Sequence, residues 1–312
     1  MKPFAAFASY FALASAAAAF AEEPLKPLPK PPPGVEIIEN VEYGTGGGHP
    51  LHVDIARPAE TPKGLMPAVL TIHGGGWAGG SHRGYLPFGL VKEGYLVAAV
   101  EYRLSGEAPW PAQIEDCKAA VRWLRANAAK YHVDPDRIGC MGHSAGGHLV
   151  SCLGTLGDVP ELEGKGGNPG VSSKVQAVVD EAGPSDFTPA ARPAVGAPPK
   201  DDKDHPGLVK LFGGTYAEEK AAWDMASPAL QAKAGDPPFL VVHGEKDNLV
   251  PIAQAERMIA ALKKAEVPVE VIRVKNAGHG LHPDKPGDPA SEPDGKALEQ
   301  MIIAFFNKQL KH

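Results

Sequence analysis

Cysteine is scarce in this chain. There are three among 312 residues, Cys117, Cys140 and Cys152. An odd count excludes complete pairing within the chain, and the spacing matches no zinc-ligand pattern, so neither a disulfide framework nor a structural zinc site organises the fold. Cys140 falls in an apolar run and reads as a core residue. Cys117 and Cys152 fall on helical patterns expected to be neighbours, which could pair in an oxidising compartment. A basic block is also missing. Lys and Arg number 31 against 37 Asp and Glu, a net charge of −6, and no positive stripe of the kind a nucleic-acid binder carries is present. A Gly-Lys-Ser/Thr sequence is absent, which excludes a Walker-type phosphate cradle, and no internal repeat is visible. What is abundant is Gly and Pro, 36 and 32 residues, the mark of a chain with many loops.

The N-terminus reads as an export signal. Lys2 supplies a short positive start, an Ala/Phe/Leu run follows, and Ala19-Phe20-Ala21 is a small-x-small cleavage site. Cleavage is expected after Ala21, giving a secreted or periplasmic protein. The run is alanine-rich and barely long enough to span a bilayer, and no Cys stands at the junction to take a lipid, so stable membrane insertion is not expected. Residues 22–33 are rich in Pro and Lys and read as a semi-rigid extended tether. The folded domain is expected over 34–312.

Within that domain, residues 35–41 and 51–56 form a strand pair joined by a turn over Gly44–Gly48, with Leu51, Val53 and Ile55 alternating as on a half-exposed antiparallel edge. Apolar runs at 67–72, 95–100, 137–141, 175–179 and 239–243 have the character of buried strands, and 267–274 reads as a further strand. Between them lie helical patterns, at 112–130 with Ile114, Cys117, Val121 and Leu124 in phase, from Ser144 to near Gly157, at 252–264 and at 295–310. Strands alternating with helices imply an α/β fold, a mostly parallel central sheet with helices on both faces. Residues 184–237 are irregular, with a helical patch around 217–225 and too few large apolar residues for a core of their own, so they read as a small cap insertion.

The stretch around which the chain is organised is Gly142-His143-Ser144-Ala145-Gly146, a Gly-x-Ser-x-Gly sequence between a buried strand and a helix. In this setting it is a nucleophile elbow. The glycines permit a turn too tight for side chains, and the serine is set where helix N–H groups and the positive dipole end favour negative charge. The plainer alternative is a glycine-rich turn in which Ser144 only caps a helix. A serine hydroxyl needs a base, and the base needs a third group to fix its tautomer. In a fold of this kind they follow in the order Ser, Asp or Glu, His. Asp247 stands in a turn beyond the run 239–243, with Glu245 as a rival. His279 follows the strand 267–274, with His282 as its neighbour, and His243 is expected to bond backbone. Asp247 could equally be a turn residue bonding its own backbone. For the oxyanion of a tetrahedral intermediate, fixed donors are required. The N–H groups of Gly75 and Gly76 in His73-Gly74-Gly75-Gly76, with that of Ala145, are the candidates. Trp77 would line a substrate pocket or fill the core.

Taken together, His73-Gly74-Gly75-Gly76-Trp77, Gly142-His143-Ser144-Ala145-Gly146-Gly147, Glu101-Tyr102-Arg103-Leu104, Ser227-Pro228 and His243-Gly244-x-x-Asp247 resemble the α/β-hydrolase esterases. Within these the chain is similar to the hormone-sensitive-lipase-like carboxylesterases, and closer to the bacterial feruloyl/acetyl-xylan esterase group. The resemblance implies hydrolysis of a small-molecule or polysaccharide-linked ester with no cofactor and no metal. His143 departs from the Asp that many lipase-like members have before the serine, and kynurenine formamidases share the fold. A formamidase, a serine peptidase, or a binding protein on a hydrolase scaffold are the alternative outcomes.

Overall fold

A computed structural model of the protein describes residues 27–157, 159–191 and 204–311. The expected signal segment and the start of the tether lie outside these residues, as does part of the insertion. The strands are β1 (Val35–Gly46), β2 (His49–Pro58), β3 (Met66–Ile72), β4 (Leu96–Val100), β5 (Val133–His143), β6 (Ala177–Glu181), β7 (Phe239–Gly244) and β8 (Val269–Val274). They form one sheet in the order β1-β2-β4-β3-β5-β6-β7-β8. The pairings β1–β2 and β2–β4 are antiparallel and the other five are parallel. This is the α/β-hydrolase fold.

The central strands read as continuous apolar runs because both faces are covered. In β3, Ala68, Leu70 and Ile72 point to one cluster, with Ile114, Leu149 and Met258 of the helices Ala112–Ala126, Ala145–Thr155 and Ala253–Lys264. Val69 points the other way, to Leu90 and Leu298 of the helices Phe88–Lys92 and Gly295–Leu310. That is the period of two dictated by the pleat. Each such fully buried Val, Leu or Ile contributes roughly 1.5–3 kcal/mol. The insertion shares this core, since Phe187, Leu211, Phe212 and Trp223 belong to the same cluster as Ile114 and Leu149.

Several boundaries differ from the sequence reading. β1 runs on through Gly44 to Gly46, and the turn is confined to Gly47–Gly48. Gly44 is needed for close approach, since a Cβ there would lie 2.0 Å from the carbonyl oxygen of Gly166. The helical pattern over 112–130 is broken at Asn127 into Ala112–Ala126 and Ala128–Tyr131. β5 starts at Val133, but a bulge separates the pairs Met66↔Val133 and Ala68↔Ile138, and inside it Asp134 Oδ1 accepts the Asp136 N–H at 3.0 Å. β6 starts and ends two residues later than its apolar run, taking in Asp180 and Glu181. The five-residue helix Phe88–Lys92 has no counterpart among the expected elements. The three cysteines are free and buried. Cys117 and Cys152 are therefore not paired. The Cys152 thiol instead lies 3.3 Å from His148 Nε2.

Among the described residues, no helix is long and apolar enough to cross a membrane.

Candidate active site

The parallel strands deliver their carboxyl ends to one edge of the sheet, where open α/β sheets place ligand chemistry. β5 is central, and Ile138, Cys140 and Met141 are buried. At its end the chain reverses into the helix Ala145–Thr155 through Ser144, with φ 59° and ψ −120°. A non-glycine residue in this region stores strain on the order of 1–3 kcal/mol. The neighbours enforce it. A Cβ on Gly142 would lie 2.4 Å from the Gly146 oxygen, and one on Gly146 would lie 2.0 Å from the Ile72 oxygen. The Ser144 N–H is held by the Glu181 carbonyl at 2.8 Å, and the Ser144 carbonyl accepts the His148 N–H at 3.0 Å. The Ser144 side chain does not cap the helix. Its oxygen lies 2.8 Å from His279 Nε2.

His279 sits in the segment after β8, and its Nδ1 lies 2.8 Å from Asp247 Oδ2. Asp247 also fills the plainer role considered for it, because its Oδ1 accepts the N–H groups of Leu249 and Val250 at 2.9 and 2.8 Å. One oxygen thus builds the turn and the other faces the imidazole. Burial alone would raise the Asp247 carboxyl, but hydrogen bonds from His243, His279 and the Val250 N–H outweigh it and hold the group well below the usual carboxylate range. His243 Nε2 donates to the Val250 carbonyl at 2.8 Å and lies 3.3 Å from Asp247 Oδ2. Glu245 is exposed. His282 is exposed too, its Nδ1 bonded to the Pro283 carbonyl at 2.9 Å.

The loop His73–Gly80 lies against the serine, and a Cβ on Gly74 would lie 3.2 Å from Ser144 Cβ. Tyr102 anchors it, stacking on the His73 ring at 4.3 Å and donating its hydroxyl to the His73 carbonyl at 3.0 Å. Burial lowers His73 to about 4, so its ring is neutral at physiological pH. Gly75 and Gly76 take φ of 118° and 60°, and the Gly75 carbonyl receives the Ala78 and Gly79 N–H groups, both at 3.1 Å. The N–H groups of Gly75, Gly76 and Ala145 make no hydrogen bond to another described residue. Trp77 takes the core role. It is 3% exposed and packs edge-on against His148 and Phe187. Its indole N–H donates to His148 Nδ1 at 3.1 Å, while His148 Nε2 donates to the Ala226 carbonyl at 2.7 Å. His148 thereby joins the glycine loop to the base of the insertion. Burial lowers it to about 4, which preserves the neutral form both bonds require. No group of three or more His, Cys, Asp or Glu placed to hold a metal occurs among the described residues.

Two carboxyls beneath the elbow were not legible as site residues. Asp180 Oδ1 accepts the Gly183 N–H at 2.9 Å and Oδ2 accepts the Ser151 hydroxyl at 3.0 Å. The Glu181 carboxyl accepts the Tyr85 hydroxyl. Burial outweighs these bonds and pushes both groups up to about 7. In the unfolded chain they titrate near 4. Between those values the native state binds more protons, so stability falls as pH rises from about 4 to 7. Asp180→Asn is expected to raise Tm relative to the unmodified protein at pH 8 and to give no gain at pH 5. Melting curves at both values check this, and an equal gain at both would remove the ionisation of Asp180 as its cause.

The sheet order and the elbow place the chain among α/β-hydrolases. The BD-FAE family model matches residues 53–262, and the chain belongs to that family. It is 32% identical over 250 residues to the esterase LipQ of Mycobacterium tuberculosis (strain ATCC 25618 / H37Rv), covering 78% of this chain and 56% of that protein. The chain spans less than two thirds of the length of the curated relatives it matches most extensively. A truncated form of a carbohydrate esterase from gut microbiota superposes with a TM-score of 0.75 at 30% identity, over 89% of this chain and 97% of that one. The thermophilic esterase Est2 of the Planctomycetes species Thermogutta terrifontis gives 0.70 at 26% identity, over 91% and 96%.

Proposed function

We propose that this chain is a serine carboxylesterase that acts through an acyl-enzyme on Ser144. One observation carries the reading: the His279 imidazole stands between the Ser144 hydroxyl and the Asp247 carboxylate, 2.8 Å from each. With Nδ1–H donated to Asp247, Nε2 presents its lone pair to the hydroxyl. Ser144 attacks the ester carbonyl as Nε2 takes its proton, and the imidazolium is stabilised by Asp247. The oxyanion is met by the N–H groups of Gly75, Gly76 and Ala145. The same Nε2–H protonates the leaving alcohol. Water, deprotonated by His279, then cleaves the acyl-enzyme.

The substrates we assign are short-chain or aromatic esters of the acetyl and feruloyl type, including those carried on plant polysaccharide. The likeness to a carbohydrate esterase supports this, as does the export signal expected over residues 1–21, whose removal would leave a chain starting at Glu22. The test is a panel of p-nitrophenyl acetate and butyrate, methyl ferulate, acetylated xylan, formyl-kynurenine and a peptide substrate. Turnover of the acetyl or feruloyl esters in preference to the formamide and the peptide is expected. Preference for either of the last two would move the reading to a formamidase or a peptidase. Failure of a fluorophosphonate to label Ser144 would leave a binding protein.

A further inference from the structure

The segment carrying His279 runs from the end of β8 to the helix Gly295–Leu310, anchored by the Lys275–Glu292 bridge and by the buried side chains of Ala277 and Leu281. Gly278 N–H bonds the His282 carbonyl at 3.0 Å and Leu281 N–H bonds the Gly278 carbonyl at 3.1 Å, which closes a local turn. The Ala277 carbonyl takes the Lys246 N–H at 2.9 Å, on the Asp247 side. Among the described residues, one hydrogen bond ties His279 itself to the nucleophile's strand. His143 Nε2 lies 2.7 Å from the His279 carbonyl oxygen, and among the described residues that carbonyl has no other donor. The two rings lie 4.8 Å apart, tilted by 52°. On its other side the His143 ring meets the glycine loop, since a Cβ on Gly74 would stand 3.5 Å from His143 Nδ1.

A carbonyl oxygen only accepts, so the His143 proton is on Nε2. Burial lowers the basicity of this imidazole, and the neighbouring His279 lowers it further, against the opposing effect of the carbonyl bond. His143 is thus a neutral donor in a fixed tautomer, one residue from Ser144. We propose that His143 is a positioning residue whose Nε2–H bond to the His279 carbonyl sets the register between the His279 imidazole and Ser144. The register is then fixed by the elbow strand itself, because His143 and Ser144 are consecutive on one constrained backbone. The inference rests on the esterase reading. It gives a role to the residue that departs from the lipase-like pattern.

The experiment compares His143→Phe, which keeps the ring and removes the donor, with His143→Gln, whose amide N–H reaches a similar point. A misplacement near 1 Å costs about 100-fold in rate. His143→Phe is expected to lower kcat toward p-nitrophenyl acetate by about 10–100-fold, with KM little changed, and to slow fluorophosphonate labelling of Ser144 in parallel. His143→Gln is expected to recover most of both. A His143→Phe enzyme within twofold of the unmodified one overturns the proposal, and so does a His143→Gln enzyme as impaired as the Phe variant. If the Phe variant fails to fold, ¹⁵N–¹H correlation spectra of the unmodified protein decide, because the Nε2–H tautomer of His143 is required and the Nδ1–H tautomer overturns it. That spectrum is independent of turnover. An unmodified protein with the Nε2–H tautomer and no ester hydrolysis would sink the esterase reading alone.

Discussion

Ser144→Ala is expected to lower kcat toward p-nitrophenyl acetate about a million-fold while leaving the melting temperature close to that of the unmodified protein. The size follows from what is removed. In the proposed mechanism the hydroxyl is the atom that bonds to the substrate carbonyl, and without it His279 has no nucleophile to activate. On the same proposal, whatever rate remains would come from the N–H groups of Gly75, Gly76 and Ala145 and from binding, worth roughly 10³–10⁴ over water. The fold survives because the elbow is held by backbone. Ser144 N–H bonds the Glu181 carbonyl, its own carbonyl receives His148 N–H, and its side chain caps nothing. Alanine carries the same Cβ as serine, so the steric strain of the φ of 59° is little changed. Retention of more than a few per cent of kcat in protein freed of background esterase would falsify the nucleophilic role.

Asp247→Asn is expected to cost about 10⁴ in kcat, with a smaller effect on KM. The two oxygens of Asp247 do different work. Oδ1 takes the Leu249 and Val250 N–H groups and Oδ2 faces His279 Nδ1. An asparagine keeps its carbonyl on the two N–H groups, which need an acceptor, and so turns its NH₂ toward His279. The imidazole must then accept at Nδ1 and carry its proton on Nε2, where it can no longer take one from Ser144. The geometry stays and the tautomer is wrong. An Asp247→Asn enzyme retaining a tenth or more of wild-type kcat would instead point to Asp247 as a turn residue only.

Much of the sheet is readable from the chain because β3, β4 and β7 are covered on both faces and so leave uninterrupted apolar runs. Likewise, the order Ser144, Asp247, His279 is visible because each follows a strand, Ser144 and Asp247 after buried runs and His279 after the partly exposed β8. Other features depend on contacts distant in sequence. The Gly44 that resembles a turn residue is in strand, paired with Leu51, and glycine is required there because the Gly166 carbonyl crowds it. Asp180 and Glu181 look like the polar end of a strand, and they are buried because Ser151, Gly183 and Tyr85 supply their hydrogen bonds. The bond from His143 spans 136 residues. No local pattern encodes it, and the only trace in the sequence is an unexpected residue before the serine.

Variant libraries aimed at new specificity inherit a constraint from His148. One ring nitrogen is committed to Trp77 and the other to Ala226, so the root of residues 184–237 is not a detachable module. Grafting that stretch from another enzyme would have to import matching partners for Trp77, Phe187 and Trp223 together. Diversity is better introduced at exposed positions such as Leu230 and Leu249, where a new side chain disturbs no shared interior.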